Sequence, residues 1–207
     1  MHDMAFLRNH FQKCCRLLLA ADVHHELIRF KNLLVTARQN GKKMILAGNG
    51  GSAAIASHCA IDFSKAANVR SVSFSDPSLI TCLANDYGYE CWLEKALELY
   101  AEEGDIVVLI SSSGRSANIL RAADYARRHG LLVVTFSGFA ANNPLRTRGH
   151  LNFWVKSRSY NLVEMLHQFW LLSVCDVLVA GKTARSRRQP RVVFGTQGVS
   201  SSISTAA

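Results

Sequence analysis

The sequence predicts a single α/β domain built on a doubly wound parallel sheet, and three observations support this fold class. The chain has 207 residues, 49% of them hydrophobic, which suffices for one well-filled core and is short for two. Short, continuously apolar runs, of the kind buried on both faces of a parallel sheet, recur along the chain. Between them, apolar residues recur every three or four positions, as in helices. This alternation predicts βαβ units with right-handed crossovers.

The predicted elements follow one another in a regular order. Apolar positions between residues 6 and 35 predict two helices before any strand, and Gly41 ends this pattern. Five strands are predicted, at residues 43–48, 71–74, 105–110, 131–136 and 151–155. The helices after the first strand are predicted at residues 53–66, 91–101, 116–129 and 162–179. Because ligands of such sheets bind beyond the carboxyl ends of the strands, a functional site is expected in the loops that follow strands.

The chain is expected to consist of a folded domain, residues 1–181, and a basic tail, residues 182–207. The formal net charge is +9, and residues 182–191 contain five Lys or Arg and no acidic residue. Residues 195–207 are rich in Ser and Gly, a composition typical of disorder. A solubilising tail is the simplest interpretation. Contact with nucleic acid, an anionic membrane face or an acidic protein partner is the alternative.

The composition predicts a cytoplasmic protein that is not inserted in a membrane. No run of eighteen or more apolar residues occurs, and residues 1–13 are polar and charged where a secretory signal would be apolar. None of the six cysteines forms a CxxC pair, and Cys59, Cys82 and Cys175 lie in apolar segments like small core residues. A reducing compartment is therefore expected, and a zinc ribbon is not.

A glycine-rich loop, Gly48-Asn49-Gly50-Gly51-Ser52, follows the first predicted strand and leads into a helix. Glycines allow a sharp turn and a close approach of the backbone to a ligand, and the free N–H groups at a helix start favour an anion. The dinucleotide-binding G-x-G-x-x-G pattern and the Gly-Lys-Ser/Thr of a Walker loop are both absent. The loop is interpreted as a phosphate cradle, with an ordinary glycine-rich turn as the alternative.

A second loop, with the sequence SSSGRS at residues 111–116, follows the strongest predicted strand and also precedes a helix. Its four hydroxyls offer donors to a phosphate without adding charge, and one of them can cap the helix. Serines in a loop usually indicate only a loop. Two such loops at the carboxyl edge of one sheet, however, predict a single binding crevice.

Three motifs, in this order and at these separations, resemble those of bacterial phosphoheptose isomerases, a branch of the sugar isomerase (SIS) family. They are NGGS at residues 49–52, ANDYGYE at 84–90 and SSSGRS at 111–116, and the resemblance covers residues 1–180. It implies a five-stranded sheet with two leading helices and a homotetramer with active sites between subunits. It also implies conversion of sedoheptulose 7-phosphate to heptose phosphate for the lipopolysaccharide core.

The resemblance also implies roles for individual residues. The phosphate-binding residues would be Ser52, Ser111, Ser112, Ser113 and Ser116. The residues that line the sugar would be Asn49, Gly50, Gly51, His58, Asn85 and Asp86.

The sequence departs from the family where the isomerisation chemistry is expected. Isomerisation of a ketose to an aldose needs a base for a carbon-bound proton and an acid for the oxygens. The family's His and Glu, four residues apart, appear here as His58 and Asp62. The family's late-helix Gln and His correspond to Val163 and Leu171 when the helix is aligned through Glu164. Two of the four polar groups are thus missing.

His167 is a candidate replacement for the missing imidazole, because it precedes Leu171 by one helical turn on the same face. Alternatively, His167 and Gln168 are polar points on an otherwise apolar helix. His58 and Asp62 are also candidates to bind a divalent metal such as zinc, although no cofactor is required.

Three functions remain open from the sequence. The first is a sugar phosphate isomerase with Asp62 as base, assisted by His167 or a substrate hydroxyl. The second is a regulator that binds a phosphosugar without turning it over. The third is an SIS-type interaction protein that uses the basic tail, residues 182–207, as its partner surface.

Overall fold

The computed structural model describes residues 2–188, with side chains described through residue 181, and the predicted tail beyond Arg188 lies outside the described residues. In chain order the elements are α1 (His2–Ala20), α2 (His24–Gln39), β1 (Met44–Gly48), α3 (Gly51–Lys65), β2 (Ser71–Ser73), α4 (Pro77–Tyr87), α5 (Trp92–Tyr100), β3 (Ile106–Ser111), α6 (Ala117–Arg128), β4 (Leu132–Ser137), a short 3-10 helix (Pro144–Thr147), β5 (Leu151–Trp154) and α7 (Tyr160–Arg188).

The five described strands form one sheet in the order β2-β1-β3-β4-β5, and every neighbouring pair is parallel. The predicted fold class is confirmed. The chain extends the sheet from β1 to β2 and then crosses over β1 to β3. The topological switch point, where such sheets bind ligands, therefore lies between the carboxyl ends of β1 and β3.

The strand residues alternate between two hydrophobic cores, one on each face of the sheet. Leu46 and Val108 pack on the face covered by α2, α3 and α7, whereas Ile45 and Val107 pack on the face covered by α4, α5 and α6. Both faces are buried, which explains why β1 and β3 are apolar at almost every position.

Helix α4 lies in a region where the sequence analysis predicted no helix. The Asp76 side chain caps it by accepting hydrogen bonds from the N–H groups of Ser78 and Leu79, at 2.8 and 3.1 Å, and Pro77 is its first residue. An Asp followed by a Pro is a recognisable helix start. The last helix also differs, because α7 continues through Arg188 into the first residues that were assigned to the tail.

Helix α7 is the central helix of one face. Its segment Tyr160–Gly181 is long and apolar enough to span a membrane by length and composition. Half of its most apolar stretch is buried inside the fold, however, where α7 packs against α2 and α3. Burial of this kind is typical of a core helix of a globular domain.

Candidate functional site

The two loops singled out in the sequence lie side by side at the switch point. Gly48 at the end of β1 is in register with Ile110 near the end of β3, so the loops that follow start from adjacent positions. They enclose a cavity of about 320 Å³, a size suited to a small ligand. Its lining residues are Asn49, Gly50, Gly51, Ser52, Ile110, Ser111, Ser112, Ser113, Ser116, Tyr160 and Glu164. We call this cavity the crevice.

Glycines shape both loops of the crevice. Gly50, the residue before α3, has φ of 56°, a left-handed conformation that other residues rarely adopt. Gly114 has φ of 63°, and a Cβ atom there would collide with the Asn143 side chain. Asn143 donates hydrogen bonds to Gly138 O and Ala140 O, at 3.1 and 2.9 Å, and so holds this side of the crevice in place.

Two helices begin at the crevice without a side-chain cap among the described residues. Gly50, which has no side chain, precedes α3, and Ser116 precedes α6 without a hydrogen bond from its side chain to the first N–H groups of that helix. The Ser52 and Ala53 N–H groups of α3 already bond to the carbonyl oxygens of Asn49 and Gly50, at 3.1 and 3.0 Å. The positive end of each helix dipole still favours an anion in the crevice. The Ser116 hydroxyl instead lies 3.3 Å from the Ser111 hydroxyl.

The Ser112 hydroxyl is buried, and no group in the described part of the chain hydrogen-bonds to it. A buried hydroxyl without a partner costs about 1–3 kcal/mol, so most such groups are paired in folded proteins. Ser112 lines the crevice, where a ligand would supply the missing partner. Its neighbour Ser113 accepts a hydrogen bond from the Arg115 N–H at 3.3 Å.

The first loop is tied to the rest of the domain through Asn49. Its side-chain amide and that of Asn118, on α6, form a reciprocal pair with N–O distances of 3.0 and 2.9 Å. The Tyr89 hydroxyl, in the segment between α4 and α5, donates a third hydrogen bond to Asn49 Oδ1 at 3.2 Å. The amide that was expected to line the sugar is thus largely engaged in holding the loop to α6.

Tyr160 and Glu164 also line the crevice, although no role was expected for either of them from the sequence. Both are on α7, four residues apart, so they share one helix face. The Glu164 carboxylate rests against Gly51, where a Cβ atom would overlap it. A polar residue four positions after a tyrosine, in a helix that is otherwise mostly apolar, was the available signal.

Comparison with known proteins agrees with this geometry. The family model of the SIS domain matches residues 11–138. The phosphoheptose isomerase of Fusobacterium nucleatum is 35% identical over 136 residues, which cover 63% of this chain and 70% of the relative. That of Aneurinibacillus thermoaerophilus is 34% identical over 143 residues, which cover 64% of this chain and 72% of the relative.

The chain belongs to the SIS domain family. A solved structure of the phosphoheptose isomerase from Neisseria gonorrhoeae superposes with a TM-score of 0.78 at 25% identity, covering 84% of this chain and 98% of that one. The resemblance stated from the three motifs is confirmed.

A second group of polar side chains of this SIS domain lies between α3 and α7, outside the lining of the crevice. His58 Nε2 is 3.2 Å from Asp62 Oδ2, and His58 Nδ1 is 2.9 Å from Gln168 Nε2. The His58 side chain is 49% exposed and that of Asp62 29%, so both remain open to solvent or to a ligand. The pair predicted at positions i and i+4 of α3 is therefore formed.

His167 does not reach this group or the crevice. Its ring is fully buried against Phe136 and Trp170, and its Nε2 lies 3.0 Å from the Ser137 carbonyl oxygen. Burial lowers the pKa of His167 from 6.5 to about 4, so the ring is neutral near pH 7. His167 does share the helix face of Leu171, as expected, but that face packs into the hydrophobic core, so His167 does not supply an imidazole to the site in this structure.

Val163 and Leu171, at the two late-helix positions, are completely buried in the hydrophobic core.

Asn85 and Asp86 are exposed at the end of α4, joined by a hydrogen bond of 3.0 Å, and neither lines the crevice in the described chain. The segment that carries them still lies near the crevice, since Tyr89 contacts Asn49.

The residues of this SIS domain do not fit a zinc ion held by the four family positions. Within residues 2–181, whose side chains the structure describes, no group of three or more His, Cys, Asp or Glu side chains is placed to share a metal ion. His58 and Asp62 supply two ligands, and Val163 and Leu171 supply buried hydrocarbon. Structural zinc sites usually have four protein ligands, and catalytic zinc sites usually have three.

Proposed function

We propose that this SIS domain binds a phosphorylated sugar in the crevice and isomerises it, as a phosphoheptose isomerase does. One observation carries the proposal: Ser112 is buried without a partner in a cavity where α3 and α6 both begin uncapped, in the part of the chain that the structure describes. Phosphate groups bind at the positive N-terminal ends of helices and to hydroxyl donors, and the crevice offers both.

The residues of the crevice divide between the two parts of the ligand. The proposed phosphate-binding residues are Ser52, Ser111, Ser112, Ser113 and Ser116, all of which line the cavity. The sugar would extend along Asn49, Gly50 and Gly51 towards His58, and Asn85 and Asp86 would contribute from the end of α4.

Asp62 is the proposed base that removes the proton from the carbon next to the carbonyl, giving an enediol. The proton would return to the neighbouring carbon, and a substrate hydroxyl would assist transfer between the oxygens. We do not include His167 in this step, because its buried ring contacts Ser137 and Phe136 instead. The substrate class best supported by the relatives' names is a heptose phosphate such as sedoheptulose 7-phosphate.

The test is turnover of sedoheptulose 7-phosphate by the purified full-length protein. We expect conversion to the aldose, and a loss of about 10²- to 10⁴-fold in Asp62→Asn, which is the usual contribution of a general base. Asp22→Asn, the same change at an exposed site between α1 and α2, is the matched control. Absence of turnover by the wild-type protein under conditions in which it binds the sugar would contradict the isomerase proposal.

One observation favours a second function, a phosphosugar-binding regulator without catalysis. Val163 and Leu171 are packed into the core rather than facing a ligand, so the late helix carries neither of the family's two polar groups there. In this case the protein would show a raised melting temperature with phosphosugars, because the ligand binds only the folded state, and no product. An SIS-type interaction protein that uses residues 182–207 remains a prediction.

We also propose that the chain forms a homo-oligomer, in keeping with the predicted tetramer. Within the described chain, α1 has no buried residue and exposes Met4, Phe6 and Phe11. An apolar groove of about 420 Å³ lies beside it, between α2 and α7. A second copy covering these surfaces would bury them, and the molar mass from light scattering tests this.

A cytoplasmic location is proposed as well, supported by the thiols Cys15 and Cys82 on the surface.

A further inference from the structure

Gln168, His58 and Asp62 form a chain of polar contacts from α7 to α3. The distances are 2.9 Å from Gln168 Nε2 to His58 Nδ1 and 3.2 Å from His58 Nε2 to Asp62 Oδ2. The second carboxylate oxygen of Asp62 lies 3.6 Å from Lys65 Nζ. Both ring nitrogens of His58 are therefore in contact with another side chain.

These contacts define where the protons of His58 lie. An amide nitrogen donates only, and an ionised carboxylate accepts only. His58 Nδ1 therefore accepts from Gln168, and His58 Nε2 carries the proton and donates it to Asp62. The Gln168 contact decides the tautomer, because the Asp62 contact alone would also fit a ring protonated on both nitrogens.

The chain of contacts adjoins the crevice through α7. Glu164 and Gln168 are four residues apart, so they share one face of the helix, about 6 Å apart along its axis. Glu164 lines the crevice and rests against Gly51, and Gln168 contacts His58 from the next turn. His58 thus lies one helical turn beyond the wall of the crevice, where the sugar of a bound phosphosugar would extend.

We infer that Gln168 is a positioning residue that holds His58 with its proton on Nε2, so that His58 orients the Asp62 carboxylate. This inference rests on the proposed function, in which Asp62 is the base. With an apolar side chain at position 168, the His58 ring could turn over about its χ2 torsion and present either nitrogen to Asp62. The nitrogen of a histidine that carries the proton is commonly set by the partner of the other nitrogen.

The tautomer of His58 can be measured without any assay of activity. Two-bond proton–nitrogen NMR spectra of the full-length protein, labelled with ¹⁵N-histidine, distinguish a proton on Nδ1 from one on Nε2. His58 is identified by the signals that disappear in His58→Asn. In spectra recorded at about pH 8, we expect the Nε2-protonated form in the wild-type protein.

Two variants at position 168 and one control complete the measurement. Gln168→Leu should give a mixture of the two tautomers, and Gln168→Glu, which has the same shape and only acceptors, should place a proton on Nδ1. Gln39→Leu, the same change at an exposed position of α2, should leave the His58 signals unchanged. A proton on Nδ1 in the wild-type protein, or an unchanged His58 spectrum in Gln168→Leu, would overturn the inference.

Turnover gives the second readout. We expect kcat of Gln168→Leu to fall by about ten- to a hundredfold with KM nearly unchanged, the usual effect of losing the partner that orients a functional histidine. If the wild-type protein has no turnover, the proposed function fails, and the NMR spectra still test the contact itself. If Gln168→Leu changes the tautomer and keeps the wild-type kcat, the positioning role is wrong.

Discussion

The crevice and the contact between α3 and α7 are neighbours, but their polar groups are arranged in opposite ways. In the crevice, α3 and α6 start uncapped and Ser112 is unpaired among the described residues, so groups are left open for a ligand. Between α3 and α7, His58 is paired with Gln168, and Leu171 is packed into the core. Phosphate binding and isomerisation are thus separable in this fold. A protein can keep the open groups of the crevice while the polar groups between α3 and α7 change.

The largest expected effect concerns the buried His167. Burial lowers its pKa from 6.5 to about 4, so below pH 6.5 the unfolded chain takes up a proton that the folded chain does not. The free energy of unfolding should therefore fall between pH 6.5 and 4, by on the order of 3 kcal/mol, and this contribution is intact above pH 6.5. Urea unfolding at a series of pH values measures the slope.

His167→Leu should flatten this slope, because it removes the group that titrates. The variant should still fold, since the Ser137 carbonyl keeps the Val155 N–H as a partner at 2.9 Å and leucine suits the core. His25→Leu, at an exposed site of α2, is the control and should keep the slope. Turnover by His167→Leu, measured near pH 8, also tests whether His167 takes part in the reaction. Loss of turnover in a folded His167→Leu protein would restore the proton-carrier role that the sequence suggested.

The second prediction tests whether the first loop must keep its shape for binding. A Cβ atom at Gly48 would lie 2.6 Å from the Ser52 carbonyl carbon, which belongs to the rigid backbone of α3. Gly48→Ala should lower the free energy of unfolding by about 2 kcal/mol and abolish thermal stabilisation by phosphosugars. Gly181→Ala is the control, because a Cβ atom there would meet no side chain and no other segment of the described chain within 4 Å, its sequence neighbours aside. Undiminished stabilisation in Gly48→Ala would mean that the ligand binds elsewhere.

The two regions also differ in how far they could be predicted from sequence. The loops follow continuous apolar strands, and the register of Gly48 with Ile110 brings them together wherever the sheet is parallel. The direction in which each side chain of α7 points depends instead on how the helix is rotated about its axis. A helix that is apolar on most sides does not reveal this rotation in its sequence. His167 and Gln168 are adjacent, yet one is in the core and the other contacts His58. Only the packing of α7 in the fold decides which of the two side chains is buried.

The third prediction is that Ser112→Ala has opposite effects on stability and binding. Removing a buried hydroxyl without a described partner should raise the free energy of unfolding of the ligand-free protein by about 1 kcal/mol. The same change should weaken phosphosugar affinity by about tenfold, because a hydrogen bond to a charged phosphate is lost. Ser78→Ala, at an exposed site of α4, controls for loss of a hydroxyl. If Ser112→Ala lowers stability, the hydroxyl is a structural group rather than one kept open for a ligand.

The smallest expected effect concerns the support of the first loop. The Tyr89 hydroxyl donates to Asn49 Oδ1 at 3.2 Å, and Asn118 donates to the same oxygen at 2.9 Å, so the loop keeps one of these bonds when the other is lost. Tyr89 is mostly exposed, and Tyr89→Phe should therefore weaken phosphosugar affinity by only two- to threefold, about 0.5 kcal/mol, in titration calorimetry. Tyr87→Phe is the matched control, since its ring contact with Lys95 survives the change. Equal affinity of the Tyr89 and Tyr87 variants would show that the α4–α5 segment does not support the crevice, leaving Asn118 as the group that holds Asn49.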